Sequence, residues 1–202
     1  MTNIIKLSEI TEKRLHNELK DLNKNKMEFI QGIQDENNKL IFYFLLKGDI
    51  KSSYEGGYYI GKILLPQDYP EKPGDFIMLT PNGRFDIDRK ICLSNTGYHL
   101  ESSSPIWSVR NVLLGIYSIW MDDKESGISH IKESPKQRKE HAYKSIEFNK
   151  IKYMDIFTKF TQFVSEAGEI LSEEEQKIVF ETKKKKKSKN KEDNKEDNKD
   201  DE

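Results

Sequence analysis

The sequence predicts an α+β fold: an N-terminal helix, a four-stranded antiparallel meander, a thiol-bearing loop, then helices and a charged tail. Three observations lead there. Leu15, Leu19 and Leu22 recur at helical spacing near the start. Four runs rich in β-branched and aromatic residues lie between Met27 and Leu79, separated by turn-forming residues. Beyond Ser108 the apolar period is helical again, and no further strand pattern follows.

Ser8 is placed to cap the first helix, with Glu9 and Glu12 in its first turn, where the positive end of the helix dipole favours carboxylates. Met27 to Ile33 and Leu40 to Lys47 read as a hairpin around Asp35-Glu36-Asn37-Asn38. Gly56-Gly57 turns the chain into a third strand, Tyr58 to Leu65, and Phe76 to Leu79 is the fourth. Connections this short favour antiparallel neighbours. Pro66, Pro70 and Pro73 fix φ and remove backbone donors between strands three and four, so that segment reads as a stiff loop. Ser108 caps a helix through Met121. Ser134, Pro135 and Gln137 carry the cap, first-position and capping-box residues of the next, which runs to about Asn149. Helical spacing continues from Ile151 to Val164, and Ser172 with Glu175 starts a last short helix reaching Phe180.

The chain has 202 residues, enough for one compact domain with appendages: a core over residues 1–165, a short helical piece over 166–182 and a tail over 183–202. The tail holds five consecutive lysines and a Lys-Glu-Asp-Asn repeat without an apolar side chain, so it is expected to stay disordered. Lys plus Arg number 34 and Asp plus Glu 35, a net charge of −1 that argues against a specific nucleic-acid partner. A single cysteine excludes an internal disulfide framework and suits a reducing, cytoplasmic or nuclear setting. No run reaches the ~18 apolar residues of a membrane span, and the first residues are not a signal peptide.

That one cysteine, Cys92, sits in Ile91-Cys92-Leu93-Ser94, ten residues beyond Asn82 of the turn-forming Thr80-Pro81-Asn82-Gly83-Arg84-Phe85. A lone cysteine is more often a buried small hydrophobe than a nucleophile. Here it stands in polar, irregular backbone near a side-chain amide. Asn82 offers a neutral N–H donor of the kind that stabilises an oxyanion, or it holds its own turn.

Over roughly residues 8 to 150 the chain resembles the ubiquitin-conjugating enzymes. Lys13-Arg14-Leu15-His16-Asn17-Glu18-Leu19 is similar to their first helix. Gly56-Gly57-Tyr58-Tyr59 through Asp68-Tyr69-Pro70-Glu71-Lys72-Pro73 is similar to their third strand and proline loop. Ile91-Cys92-Leu93-Ser94 resembles the active-site signature, and Ser104-Pro105-Ile106 the loop before the second core helix. Thr80 replaces a usual histidine, and Asn82 lies further from the thiol than in most members. With the longer Asn95 to Ser104 segment, these features resemble the divergent, endoplasmic-reticulum-associated branch known as J-type. The C-terminal membrane anchor of that branch has no counterpart here, and Leu100 and Ser103 depart from its pattern.

The resemblance implies an acyltransferase. Cys92 would take ubiquitin as a thioester from an activating enzyme and pass it to an amine, usually a substrate lysine, in protein ubiquitination and degradation. The enzyme itself would need no cofactor and no metal, ATP being used by the activating enzyme. Asn82 would stabilise the oxyanion. His99, Asp122 or Asp123 would serve as base or gate for the incoming amine. Lys13 and Arg14 would meet the activating enzyme. Pro70, Glu71, Pro73, Pro105 and Ile106 would face a ubiquitin ligase, with Glu71 standing where an apolar residue is usual. A non-catalytic ubiquitin- or ligase-binding relative, and a conjugator of another ubiquitin-like modifier, remain open alternatives at this level.

Overall fold

The computed structural model describes residues 7–91, 107–122, 127 and 129–181. Helix α1 (Glu9–Lys24) opens at Ser8, whose hydroxyl accepts the Thr11 amide. Five strands follow in sequence order as an antiparallel sheet: β1 (Ile30–Gln34), β2 (Ile41–Lys47), β3 (Tyr58–Leu64), β4 (Asp75–Met78) and β5 (Lys90–Ile91). The β1–β2 turn is closed by Asp35 Oδ1, which accepts the Asn37 and Asn38 amides at 2.9 and 2.7 Å. Helices α2 (Val109–Met121) and α3 (Pro135–Phe157) come next, then a short α4 (173–181).

Strand alternation divides the core in two. Phe42, Phe44 and Leu46 of β2, with Tyr59, Ile63, Phe76 and Met78, face α1 and α2, where Leu15, Leu113, Ile116 and Trp120 complete the cluster. Trp120 is fully buried, with the Tyr54 ring 4.2 Å and the Tyr59 ring 4.9 Å away, centroid to centroid. The opposite face presents Leu45, Tyr58, Ile60, Ile77 and Leu79. It is covered by Phe157, Phe160, Phe163 and Val164, from the end of α3 and the segment after it.

Two sequence expectations need correction. The meander has five strands rather than four, because β5 is only two residues long and leaves no alternation to read. The helix foreseen over Ile151 to Val164 ends at Phe157, after a non-helical Tyr153 (φ −140°, ψ 32°). Phe160 and Val164 lie in tight turns, where the Phe160 amide bonds Phe157 O and the Phe163 amide bonds Phe160 O. A three-residue turn repeat sends apolar side chains to one side nearly as a helix does, so the pattern reads as helical. The rest agrees: the box of Ser134 and Gln137 caps α3, and Ser172 with Glu175 caps α4. The tail foreseen over 183–202 lies outside the described residues.

Candidate active site

Cys92, His99, Asp123, Pro105 and Ile106 lie outside the described residues. The frame that leads to Cys92 is described, because β5 ends at Ile91, the residue before it. Ile91 is 5 % exposed and pairs with Phe76 of β4. The thiol therefore follows directly from the edge strand of a packed sheet.

The turn Thr80 to Phe85 is held from four sides. Thr80 is fully buried; its hydroxyl accepts the Ile60 amide at 2.9 Å and donates to Asn149 Oδ1 at 2.5 Å, joining the turn to β3 and α3. Asn149 Nδ2 in turn donates to Tyr58 O at 2.8 Å, and Ser145 Oγ accepts the Tyr58 amide at 2.9 Å. Side chains on α3 thus serve backbone groups of β3 that the β4 pairing, which begins at Gly61, does not reach.

Asn82 is 1 % exposed. Its Oδ1 accepts the Arg84 and Phe85 amides at 2.9 and 2.8 Å. Its Nδ2 donates to Thr80 O at 3.0 Å and Phe85 O at 3.3 Å. Both N–H groups of the amide are engaged inside the turn. Gly83 takes φ +73°, where a Cβ would stand 2.9 Å from Arg138 Cγ, so only glycine fits.

Arg84 is fully buried and points away from the turn to the end of α2. Its Nη2 donates to the carbonyls of Asp122 (3.0 Å) and Ile119 (3.4 Å) at the helix end, where Ile119 O also accepts the Asp122 amide at 3.2 Å. A cation there also meets the negative end of the helix dipole. Its Nη1 lies 3.0 Å from His130 Nδ1. Guanidinium only donates, so Nδ1 is the acceptor and His130 is the neutral tautomer with its proton on Nε2. The stretch after α2 pairs with the turn as well: Ile131 N donates to Arg84 O, Asp86 N to Ser129 O, and Ser129 Oγ to Lys90 O. On the fourth side, Arg138 Nε donates to Gly83 O at 3.3 Å. Asp122 itself is exposed, its backbone capping α2.

Of the expected docking residues, Lys13 is exposed while Arg14 is largely engaged within the molecule. Arg14 Nε donates to Glu18 Oε1 at 2.5 Å and its Nη2 to Trp107 O at 2.8 Å, with the guanidinium 5.6 Å from the Tyr69 ring centroid. Burial acts to lower the Arg14 pKa, but Glu18 and Tyr69 outweigh it and the net shift is upward. Pro70 and Pro73 are half-buried and Glu71 is exposed. Beside them Lys72 pairs with Asp68 at 2.6 Å. Sequence reasoning assigned nothing to Glu18, Tyr69, Arg84, Arg138 or Asn149. Arg84 carried a signal, as the residue in the stretch that lengthens the spacing from Asn82 to the thiol.

The sequence model of the ubiquitin-conjugating enzyme family matches residues 14–150. The chain belongs to the ubiquitin-conjugating enzyme family. Among similar proteins is "Ubiquitin-conjugating enzyme E2 J2-like" of Dictyostelium discoideum, 36% identical over 137 residues, 68% of this chain and 80% of that one. "Ubiquitin-conjugating enzyme E2 J1" of Mus musculus is 41% identical over 113 residues, 56% of this chain and 36% of the other. "Ubiquitin-conjugating enzyme E2 J2" of Mus musculus is 35% identical over 136 residues, 67% of this chain and 52% of the other. The chain thus spans about a third to a half of the length of these mouse relatives. The likeness to the J-type branch agrees with the Thr80 to Phe85 variant. No helix among the described residues is long and apolar enough to cross a membrane.

Proposed function

We propose that the chain carries ubiquitin as a thioester on Cys92 and transfers it to amines of protein substrates. The observation that supports this best is the placement of the signature: Cys92 is the next residue after an edge strand whose preceding turn is pinned by Thr80, Asn82, Arg84 and Arg138. In the first step the Cys92 thiolate attacks the thioester carbonyl of ubiquitin on an activating enzyme, and the enzyme's own thiolate leaves. In the second step a lysine amine attacks the new thioester. The tetrahedral intermediate expels the Cys92 thiolate, and the amine loses a proton. Because the acyl group arrives already activated, a thiol with an ordinary pKa of ~8.5 suffices.

Asn82 serves this scheme by fixing the turn. Its longer bond, 3.3 Å to Phe85 O, is the one a developing oxyanion would compete for. Asp122, Asp123 and His99 are the candidates for receiving the proton from the amine. Lys13 supplies the charge for a salt-sensitive encounter with the activating enzyme. Pro70, Glu71 and Pro73 of the proline loop are the described residues assigned to a ligase, and the family resemblance adds Pro105 and Ile106 to them. Incubation with activating enzyme, ATP and ubiquitin tests the reading. A shifted band that disappears on reduction and is absent in Cys92→Ala supports it. A folded chain that gains no such band from an active partner overturns it.

A further inference from the structure

Glu18 is a carboxylate on α1 with only 2 % of its surface exposed. A buried carboxylate is costly unless each oxygen is well bonded, and an apolar side chain fills such space more cheaply. Both oxygens of Glu18 are bonded, to three different parts of the chain. Oε1 accepts the Tyr69 hydroxyl at 2.7 Å from the proline loop and Arg14 Nε at 2.5 Å from α1 itself. Oε2 accepts the amide of Val109, the first residue of α2, at 2.7 Å. That amide is one of the donors every helix start leaves unsatisfied, and a negative charge there is favoured by the dipole. Two further bonds span the same junction: Arg14 Nη2 to Trp107 O at 2.8 Å, and Thr11 Oγ1 to Gln67 O at 3.4 Å.

We propose that Glu18 is a positioning residue that sets α1, the proline loop and the start of α2 in one arrangement, so that these three surface elements respond together. The inference rests on the reading given under Proposed function for what those surfaces meet: the activating enzyme at α1, a ligase at the loop and at the segment leading into α2. On that reading the carboxylate, rather than a direct contact, fixes the proline loop against the start of α2. A partner seated on α1 beside Lys13 loads the same joint.

Amide hydrogen exchange, read residue by residue on the wild type, Glu18→Gln, Tyr69→Phe and the double variant, tests it without any ligand. Glu18→Gln is expected to speed exchange at Val109 and at loop residues 67–71 on the order of tenfold, leaving the β2 and β3 amides unchanged. Tyr69→Phe, which removes one hydroxyl and does not touch Val109, is expected to speed exchange at Val109 as well. In the double variant the Tyr69 change is expected to add nothing at Val109, because its effect passes through Glu18. A Val109 amide indifferent to Tyr69→Phe overturns the proposal. So does a rise in exchange spread equally over the sheet, which marks a general loss of stability. Charging with ubiquitin, run on the same proteins, keeps the two readings apart: failure of the wild type to charge removes the enzymatic reading, while the exchange data judge the joint on their own.

Discussion

Thr80 and Asn149 share a fully buried hydrogen bond of 2.5 Å between a turn hydroxyl and a helix side-chain amide 69 residues later. The same hydroxyl accepts the Ile60 amide, so one small side chain binds the turn ahead of Cys92 to β3 and α3 together. Thr80→Val keeps the shape but leaves a buried N–H and a buried amide oxygen short of a partner. The expected cost is about 1–3 kcal/mol for each group left unsatisfied. Urea unfolding should show a lower midpoint with the slope unchanged, and Thr80→Ser should recover most of it.

Arg84→Met is expected to separate the two half-reactions. The substitution keeps much of the apolar stem and removes the donors to Ile119 O, Asp122 O and His130 Nδ1. The residues following α2, on the amine side of the proposed reaction, lose the side-chain part of their tie to the turn and keep the backbone bonds of Ser129 and Ile131. Single-turnover discharge onto free lysine should fall about tenfold, a 1.4 kcal/mol effect, while charging changes less. Nitrogen NMR of the imidazoles should show His130 as the Nε2–H tautomer in the wild type and a mixture in the variant.

Lys13 and Arg14 should differ although they are neighbours. Lys13→Ala is expected to leave stability within about 0.5 kcal/mol, to raise the KM for the loaded activating enzyme and to flatten its salt dependence. Arg14→Ala removes a charged donor from Glu18 and should destabilise by about 1–3 kcal/mol in urea titration. Equal stability of the two variants would contradict this division.

Alkaline pH should unfold the protein through its buried phenols. Burial, aided by Asp49 and Glu28, pushes the Tyr117 hydroxyl up to about 12. Burial and then Glu18 raise Tyr69, and burial with Tyr54 raises Tyr59. In the unfolded chain these groups titrate near ~10. Above that value the unfolded state gives up protons that the folded state keeps, so it binds fewer and stability falls as pH rises. The contribution is whole below about pH 10 and is lost on the way to the folded-state values. Thermal midpoints measured across this range should drop, and Tyr117→Phe should make the drop shallower.

A chain stopped after Lys150, where the match to the family model ends, is expected to expose Leu45, Ile60, Ile77 and Leu79. Such a contiguous apolar face invites association. Gel filtration and dye binding should report aggregates or a loosened fold, whereas a chain stopped after residue 181 should run as the intact protein does.

The parts of this fold legible in the sequence are those written in local chemistry. Ser8, Ser108 and Ser134 announce their helices because a cap needs its hydroxyl next to the helix it serves. The aromatic and aliphatic run from Leu40 to Lys47 announces a strand because such side chains suit a pleated, packed surface. The Thr80 to Phe85 stretch announces the site because its residue types are tied to one turn. Glu18 and Asn149 gave no such sign. Their partners lie 91 and 69 residues away in Val109 and Thr80, and a charged or amide side chain on a helix looks like solvated surface until the fold supplies the other half. The end of α3 was misread for the converse reason, since tight turns imitate the period of a helix.

The cover on the sheet's second face also sets a schedule for synthesis. Phe160, Phe163 and Val164 are made long after the strands they protect, and Gln162 Nε2 reaches back to Met27 O across 135 residues. Phe160 comes 81 residues after Leu79, which at ~5–20 residues per second is a wait of roughly 4–16 s. During that interval the first core cluster can close while the other side of β2, β3 and β4 stays bare. The nascent chain therefore passes through a stage in which a half-covered sheet is open to chaperones or to neighbouring chains. It leaves that stage only when Phe160 to Val164 have emerged.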